Sequence, residues 1–240
     1  MAIARQTPKW EWIGTAWKLF VQEATAWCLI GAVFLVATVA YLAAVLVPFL
    51  LTLYGQEPGE FSGFPWPAFA AMGLFTILYI LISIVIHAGA LLAAKEQLRG
   101  GKPSVAHILR VGPKIPTLIG LSVVISALAL VGLMLCVIPG LIVAFLFYFA
   151  TPLVVMGDRG ITQAMRESYE MVKQDPLMFI LFAFVNGIIT GIGSNLCYVG
   201  LIVSYPLGIL ITAVAYHGCF EAPPVAIPAP NQPPPFPKSL

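Results

Sequence analysis

Two histidines lie within apolar stretches of the sequence, where an ionisable ring is costly and often functional. His87 precedes Lys95 by eight residues, about 12 Å of helix, and His217 precedes Glu221 by four. Because neutral imidazole is a good axial ligand, the pair is compatible with a bis-imidazole haem site or with a chlorophyll-type pigment. A hydrogen bond to a neighbouring helix explains the same residues without a cofactor, and we favour that interpretation. A third histidine, His107, is expected at the surface.

A helix-packing pattern lies in the second half of the chain. Gly187 and Gly191 have the GxxxG spacing that is typical of two membrane helices in close contact. The amide of Asn186, next to them, is suited to hydrogen bonding across the same contact. These three residues therefore predict a packing site.

The four cysteines are scattered and form no CxxC pair. Cys136 and Cys197 fall near apolar-segment ends on one predicted side, where an oxidising compartment would allow a disulfide. Cys28 and Cys219 fall toward the opposite, reducing side. A cysteine in an apolar helix is more often a small buried hydrophobic residue, so both alternatives stay open.

No motif of a known active site accompanies these residues. The sequence has no HExxH, no P-loop, no Ser/His/Asp order and no paired carboxylates within its apolar segments. Arg166, Glu167, Glu170 and Lys173 have the spacing of a salt-bridged helix face in water. The sequence therefore predicts a protein that is not an enzyme.

Composition limits the class of protein. Of the 240 residues, 60% are apolar and 9% are charged, whereas a soluble domain carries about 25% charged residues. The net charge of +2 gives no strongly basic surface for a nucleic acid. These values exclude a soluble enzyme, a disordered chain and a nucleic-acid-binding protein. They predict an all-α polytopic membrane protein.

Six apolar segments are candidate membrane spans, since a helix needs roughly 20 residues to cross a bilayer. They are Ala26–Leu53, Pro67–Ala94, Thr117–Ile138, Leu141–Met156, Leu177–Gly193 and Leu196–Phe220. The fourth is short and follows the turn dipeptide Pro139-Gly140, so whether it crosses fully stays open. We predict three transmembrane hairpins within residues 26–220.

The positive charges all lie on one side of these segments. The 12 Lys and Arg residues precede the first segment, follow the sixth, or lie in the connections after the second and fourth. The opposite connections contain only Glu57 and Glu60 as charged residues. The positive-inside rule then predicts a multi-pass protein of the cell inner membrane with both termini in the cytoplasm.

A short amphipathic helix is predicted before each hairpin, on the cytoplasmic side. In residues 1–25, Trp10 and Trp17 belong to an apolar face, and tryptophan suits the headgroup region of a membrane. Ser104 is positioned to cap a second helix, and Ile161–Val172 has the pattern of a third. The chain is interpreted as three repeats of an interfacial helix and a hairpin.

Several short motifs resemble a broad group of prokaryotic six-span membrane proteins. The motifs are Gly101-Lys-Pro-Ser, Ile138-Pro-Gly-Leu-Ile, Ala150-Thr-Pro-Leu-Val-Val, Gly160-Ile-Thr-Gln-Ala-Met-Arg-Glu-Ser-Tyr, and the pair Pro206 and Tyr216. The group includes YciC-like proteins and the membrane domain fused to some glycerophosphodiester phosphodiesterases. The resemblance implies a six-span fold in a prokaryotic membrane, and it implies no activity.

The last segment, residues 221–240, differs in kind, because eight of its 20 residues are proline. The run Pro233, Pro234, Pro235 before Phe236 favours an extended polyproline II segment in the cytoplasm. Such segments are recognised by protein partners. We expect partner contacts at these four residues and at Trp10 and Trp17.

The favoured hypothesis is a non-catalytic integral membrane protein that acts as an accessory or structural subunit of a larger membrane assembly. Its expected partners are membrane lipid and other integral membrane proteins. One alternative is a carrier for an uncharged or amphipathic, lipid-like solute, since no Asp, Glu, Lys or Arg lies within the six segments. The other is a haem- or pigment-binding subunit that uses His87 or His217.

Overall fold

The computed structural model describes residues 8–54, 66–135, 137–195 and 198–221, and these residues lie in helices or in the short segments next to helices. One of the helices is a 3-10 helix, η1, and the others are α-helices. In chain order they are α1 (Glu11–Gln22), α2 (Ala24–Tyr54), α3 (Trp66–Leu98), η1 (Val105–Lys114), α4 (Ile115–Leu135), α5 (Val137–Leu146), α6 (Ala150–Val155), α7 (Ile161–Val172), α8 (Pro176–Asn195) and α9 (Leu201–Phe220).

Five helical segments of the described chain are long and apolar enough to cross a membrane, which indicates a multi-pass membrane protein. They are Ala24–Leu51, Phe69–Leu98, Val105–Leu135, Pro176–Asn195 and Leu201–Phe220. The last of these, α9, is the central helix. In its apolar segment 72% of the residues are buried, whereas the corresponding share in the other four segments is 28% or less. It packs against α1, α2, α3, α6 and α8.

Small residues let neighbouring helices approach α9 closely. A Cβ on Gly31 of α2 would collide with the backbone of Ile202, and one on Gly208 of α9 would collide with Thr190 of α8. In a membrane the lipid is as apolar as the helices, so such close van der Waals contact is a main source of helix association. The glycines therefore position α2 and α8 against the central helix.

The fourth predicted span is interrupted. Instead of one helix over Leu141–Met156, the structure has α5, a turn at residues 147–149 and α6. Ser168 of α7 fixes this turn, since its hydroxyl donates to Leu146 O at 2.8 Å and accepts from Phe149 N at 3.2 Å. These bonds satisfy backbone groups that a continuous helix would pair internally. The prediction of six continuous transmembrane helices is thus not confirmed.

The three predicted short helices lie at one end of the bundle, which we call the basic end because Lys95, Lys114 and Arg159 lie there. Ser104 caps η1 as predicted, and its Oγ accepts a hydrogen bond from Ala106 N at 3.2 Å. η1 has 3-10 rather than α geometry. The third short helix, α7, has the predicted bounds.

α1 packs through a tryptophan that the sequence pattern does not single out. Trp12 is buried and meets the ring of Phe182 edge-on at 5.9 Å. A Cβ on Gly218 would lie 2.6 Å from the Trp12 ring, so this glycine makes room for the indole. Trp10 and Trp17 are 45% and 50% exposed. They are therefore available to a membrane surface or a partner.

Candidate functional site

A cavity of about 320 Å³ lies among α2, α3, α4, α6 and α9. The residues that line it are Phe34, Tyr79, Ser83, Ile84, His87, Leu118, Ser122, Thr151 and Tyr205. This described lining contains no Asp, Glu, Lys or Arg. An apolar and aromatic wall with a few neutral polar groups is typical of a pocket for a small molecule.

The cavity lies within the apolar part of the bundle. His87 lies eight positions before Lys95 on α3, and Leu118 lies four positions after Lys114; these offsets correspond to about 12 Å and 6 Å along a helix. Tyr205 lies four residues after the start of α9, at the opposite end of that helix from the basic end. The cavity is therefore separated from the charged residues by at least a helical turn.

Tyr205 is the most buried polar residue of the lining, at 6% exposed. Its ring stacks on Phe34 with a centroid distance of 3.8 Å and an interplanar angle of 2°. Its hydroxyl has no hydrogen-bond partner among the described residues. Leaving a buried polar group without a partner costs about 1–3 kcal/mol. A bound molecule or a water is thus needed to satisfy it.

His87 lies next to Tyr205 in the same wall. The two ring centroids are 6.3 Å apart, with an interplanar angle of 65°. Within the described part of the chain, the imidazole of His87 makes no hydrogen bond. A neutral imidazole has one donor and one acceptor nitrogen. His87 therefore offers both to whatever occupies the cavity.

His217 does not share a site with His87. It follows Tyr205 by 12 residues on α9, which is about 18 Å of helix. Its Nδ1 lies 3.0 Å from Glu221 Oε2 at the basic end. One metal ion bonds imidazole nitrogens at about 2 Å, so a single ion cannot bind both rings of one chain, and a haem- or pigment-binding role for either histidine stays a prediction. The described residues also contain no cluster of three or more His, Cys, Asp or Glu that could hold a metal ion.

Asn186 belongs to a polar network that joins α8 to two other parts of the bundle. Its Nδ2 has two protons and three acceptors within reach: Tyr148 Oη at 2.7 Å, Thr212 Oγ1 at 3.0 Å and Gly208 O at 3.3 Å, the last being the weakest contact. Tyr148 Oη and Thr212 Oγ1 are 2.8 Å apart. Asn186 thus connects α8 with α9 and with the turn between α5 and α6. Such interhelical bonds fix the orientation of membrane helices.

The two glycines beside Asn186 do not have the predicted packing role within this chain. A Cβ on Gly187 or Gly191 would meet no described atom within 4 Å. The close contacts of α8 with α9 lie instead at Gly193 and Gly208. The GxxxG spacing identifies a small-residue face of α8, but it does not determine whether that face meets α9.

At the basic end, two lysines bind the end of α6. Lys95 Nζ donates to Met156 O at 2.6 Å, Lys114 Nζ donates to Val155 O at 2.5 Å, and both lysines contact Asp158. Cations stabilise a helix C-terminus because the carbonyls there lack partners within the helix. The hydrogen bond and charge of Lys114 lower the pKa of the Asp158 carboxyl below its usual value. We assign this cluster a structural role, since it ties α3 and η1 to α6.

The other predicted site residues lie outside the described residues or in a different setting. The undescribed ones are Cys136, Cys197, Pro233, Pro234, Pro235 and Phe236. His107, which was expected at the surface, is 9% exposed, and its Nδ1 lies 2.9 Å from Ser104 O. The surface prediction for His107 is wrong because η1 packs on α3, where Gly89 leaves room for the neighbouring Ile108.

Tyr205 and Thr151 of the cavity are missing from the sequence predictions. Both are neutral polar residues in apolar segments, and that is the only signal the sequence offers. Tyrosine is common near membrane interfaces, so Tyr205 does not stand out there. Its stacking partner Phe34 and its neighbour His87 lie on other helices, so their association depends on the fold.

The chain is similar to proteins for which no activity is assigned. The uncharacterized protein Mb2590 of Mycobacterium bovis is 29% identical over 147 residues, which are 60% of this chain and 43% of that protein. The uncharacterized protein Rv2560 of Mycobacterium tuberculosis is 28% identical over the same length. The chain thus spans less than half the length of these relatives. No solved structure matches it.

The family is established by the second half of the chain. The domain of unknown function DUF7847 matches residues 104–235, more than half of the sequence. This range includes Leu118, Ser122, Thr151 and Tyr205 of the cavity. The resemblance to YciC-like proteins and to glycerophosphodiester phosphodiesterase membrane domains stays a prediction. The chain belongs to the DUF7847 family.

Proposed function

We propose that this protein is a non-catalytic membrane protein that binds and carries an uncharged, amphipathic, lipid-like molecule in the cavity around His87 and Tyr205. The observation that supports the proposal is a cavity of about 320 Å³ within the apolar part of the bundle, with an unpartnered tyrosine hydroxyl in its wall. A charged solute is disfavoured, because the described lining has no residue of opposite charge that could offset the free-energy cost of moving the solute's charge out of water.

The two chemical characters of the lining match the two parts of an amphipathic molecule. Phe34, Ile84 and Leu118 supply apolar contact area for a hydrocarbon portion. The hydroxyls and the imidazole supply hydrogen bonds for a neutral polar head. Because hydrogen bonds are strong where water is excluded, a few such groups suffice to orient the head.

Native mass spectrometry of the full chain, extracted with its surrounding lipid, tests this proposal. We expect the wild-type protein to retain a neutral amphipathic molecule. Ser122→Phe places a ring in the cavity and is expected to abolish retention. Ser126→Phe on the same helix is the matched control, because Ser126 is exposed and outside the lining. Equal retention by both variants, or none by the wild type, would contradict the proposal.

The same proposal includes six crossings of the membrane with both termini in the cytoplasm. Both termini lie on one side only if the number of membrane crossings is even. The five long helices supply five crossings, so the segment formed by α5 and α6 has to supply the sixth. Support comes from the contacts of Lys95 and Lys114 with Val155, Met156 and Asp158, since they put the end of α6 beside the ends of α3 and η1. The charge asymmetry of the sequence then gives the basic end a cytoplasmic location.

A role as an accessory subunit of a membrane assembly is a second candidate. It is favoured by the exposed tryptophans Trp10 and Trp17 and by the proline-rich composition of residues 221–240. Deleting residues 222–240 should then weaken co-purification with a larger assembly, and Phe236→Ala should reproduce part of that loss. Lipid retention should not change, which separates this role from binding in the cavity. Retention of every partner by the truncated chain would contradict it.

A further inference from the structure

The positive charge of the basic end is unevenly distributed. The end of α3 and all of η1, residues 95–114, carry five basic residues and one acidic residue, and we call this segment the η1 corner. Residues 9–23, around α1, carry two basic and two acidic residues, and residues 158–175, around α7, carry three basic and four acidic residues. Of these three segments, the η1 corner alone has an excess of positive charge.

Most of the positive charge of the η1 corner is not balanced within the chain. Its two lysines at the end of α6 share a single carboxylate, that of Asp158. Its other cations, Arg99, Lys102 and Arg110, are exposed and form no ion pair with a described residue. Glu96, the acidic residue of the corner, can offset only one of these three charges. The corner therefore presents a cationic surface to its surroundings.

A large apolar side chain protrudes from the same surface. Leu109 is 86% exposed, the largest value among the large apolar residues of the described chain, and it directly precedes Arg110. His107 and Val111 of the same helix are buried, so η1 packs on the bundle with one face and turns Leu109 outward. An exposed apolar side chain beside cations is typical of a helix in the headgroup region of a bilayer.

The lengths of the neighbouring helices put η1 at headgroup depth. α4, Ile115–Leu135, has 21 residues, about 32 Å of helix, and thus covers the roughly 30 Å of a hydrocarbon core without η1. η1 precedes α4 directly, and the candidate span of α3 ends at Leu98. The corner therefore lies where both helices leave the core. Lipid headgroups surround the protein at this depth, which favours lipid over a soluble partner.

We infer that the η1 corner binds the headgroups of anionic phospholipids in the leaflet at the basic end. Arg99, Lys102 and Arg110 contact the lipid phosphates, and Leu109 extends toward the acyl chains. Each cation near an anionic membrane surface strengthens binding by about fivefold, so three cations suffice for a preference over zwitterionic lipid. The inference does not involve the cavity, and it holds whether or not the cavity binds a ligand.

Native mass spectrometry of the full chain tests the headgroup preference. The protein is released from micelles that contain equal amounts of dioleoyl phosphatidylglycerol and dioleoyl phosphatidylcholine, two lipids with the same acyl chains. We expect the phosphatidylglycerol adducts to exceed the phosphatidylcholine adducts by at least about fivefold. Equal amounts of the two adducts on the wild-type protein would overturn the inference.

Removing the three exposed charges of the corner tests where the preference arises. The triple variant Arg99→Gln, Lys102→Gln, Arg110→Gln should reduce the preference to less than about twofold. The variant Arg99→Lys, Arg110→Lys keeps the charges and should retain the preference. Loss of the preference in the lysine variant as well would show that charge is not its cause, and would overturn the inference.

A control variant removes the same amount of charge elsewhere at the basic end. Lys9, Lys18 and Arg166 are exposed and lie in the α1 and α7 segments, where acidic residues balance the basic ones. Their combined replacement by glutamine should leave the preference for phosphatidylglycerol unchanged. An equal loss in this variant and in the corner variant would mean that only the total charge matters, and it would overturn the assignment to the η1 corner.

Glycerol 3-phosphate distinguishes a lipid headgroup from a free phosphate ester, because it carries a phosphate group without acyl chains. Added at the concentration of the lipid, it should leave the phosphatidylglycerol adducts unchanged. Displacement of these adducts would show that the corner binds a soluble phosphate ester, and it would overturn the commitment to lipid.

The position of Leu109 is tested with a fluorophore in a bilayer. Leu109→Cys, in a background without the four native cysteines, carries an environment-sensitive fluorophore, and the nanodisc contains phosphatidylglycerol with brominated acyl chains, which quench on contact. We expect a loss of fluorescence at residue 109. Glu170→Cys is the control, since Glu170 is exposed on the charged face of α7, and no loss is expected there. No quenching at residue 109 would overturn the contact of Leu109 with the acyl chains.

Discussion

Two buried polar side chains of this bundle, Asn186 and Tyr205, differ in their hydrogen bonding. Asn186 uses its amide protons to bridge Tyr148, Thr212 and Gly208, so its bonds hold helices together. Tyr205 is equally buried but its hydroxyl has no described partner, so its bond is available to a ligand. The cost of burying a polar group is thus offset by interhelical bonds at Asn186 Nδ2, whereas at the Tyr205 hydroxyl, and at Asn186 Oδ1, no described residue offsets it.

The role of Asn186 predicts a loss of stability when its amide is removed. Asn186→Leu keeps the volume of the side chain but breaks its bonds to α9 and to Tyr148. We expect a loss of about 0.6–1.7 kcal/mol, the measured range for interhelical hydrogen bonds in membranes. Unfolding in mixed micelles measures it. Asn195→Leu is the control, because the described bond of Asn195 lies within its own helix; an equal loss in both variants would contradict the prediction.

The depressed pKa of Asp158 predicts a pH-dependent contribution to stability. A carboxyl whose pKa is lower in the folded state stabilises the protein above its unfolded pKa, about 3.9, and loses this effect as the pH falls through the folded value. Because the Asp158 side chain is 66% exposed, we expect a gain of at most about 1 kcal/mol at neutral pH.

Asp158→Asn tests this contribution. Asparagine tolerates the left-handed conformation at this position, where φ is 54°, so the substitution removes only the charge. The variant should unfold at a lower temperature than the wild type at pH 7. The difference should begin to shrink below about pH 3.9, the pKa in the unfolded state, and should disappear only below the lower pKa of the folded state. A difference that is the same at both pH values would show that the ion pairs with Lys95 and Lys114 are not its cause.

At the scale of helices, the close approach of α2 to the central helix gives the next prediction. A Cβ on Gly31 collides with backbone atoms of Ile202, which cannot rotate away. Gly31→Ala should therefore separate α2 from α9. The resulting strain and lost contact should lower the free energy of unfolding by several kcal/mol. Gly187→Ala is the matched control, since nothing lies within 4 Å of the new methyl group. It should be neutral or stabilising by up to about 1 kcal/mol. A larger loss at Gly187 than at Gly31 would contradict this arrangement.

Local patterns predict the short helices well and the interrupted span poorly. Ser104 was predicted as an N-cap and α7 as a helix over Ile161–Val172 because capping and apolar periodicity depend on residues close in sequence. The turn at residues 147–149 depends on Ser168, about 20 positions later. A continuous apolar run contains no signal for such a bond. The exposed face of Gly187 likewise follows from the position of α9 rather than from spacing.

At the scale of the whole molecule, the candidate site is a product of the fold. Its lining comes from five helices spread between Phe34 and Tyr205. The sequence identified His87 as a candidate ligand-binding residue, because a ring of that kind is rare in an apolar segment. It did not identify the cavity, since the apolar residues around His87 are indistinguishable from those that face lipid. The prediction of a neutral ligand rests on the absence of charged residues in the six segments, and it stays a prediction.

The path of the chain through the membrane depends on whether α5 and α6 together cross it. Residues 140–155 cover about 24 Å when helical, less than the roughly 30 Å of a hydrocarbon core. The lysine contacts at the end of α6 nevertheless support a complete crossing. Lys95 and Lys114 reach Met156 and Val155 from the ends of α3 and η1. We therefore expect residue 160 to lie on the same side of the membrane as residue 112.

Single cysteines in a background without the four native ones test this path. In intact cells, an impermeant maleimide should label Gly63→Cys and should leave Gly112→Cys and Gly160→Cys unlabelled until the cells are lysed. Gly112 and Gly160 suit the experiment because neither position has an atom within 4 Å of the new Cβ. Six crossings require the same behaviour at residues 112 and 160. Labelling of Gly160→Cys from outside, with Gly112→Cys protected, would mean that α5 and α6 return without crossing the membrane.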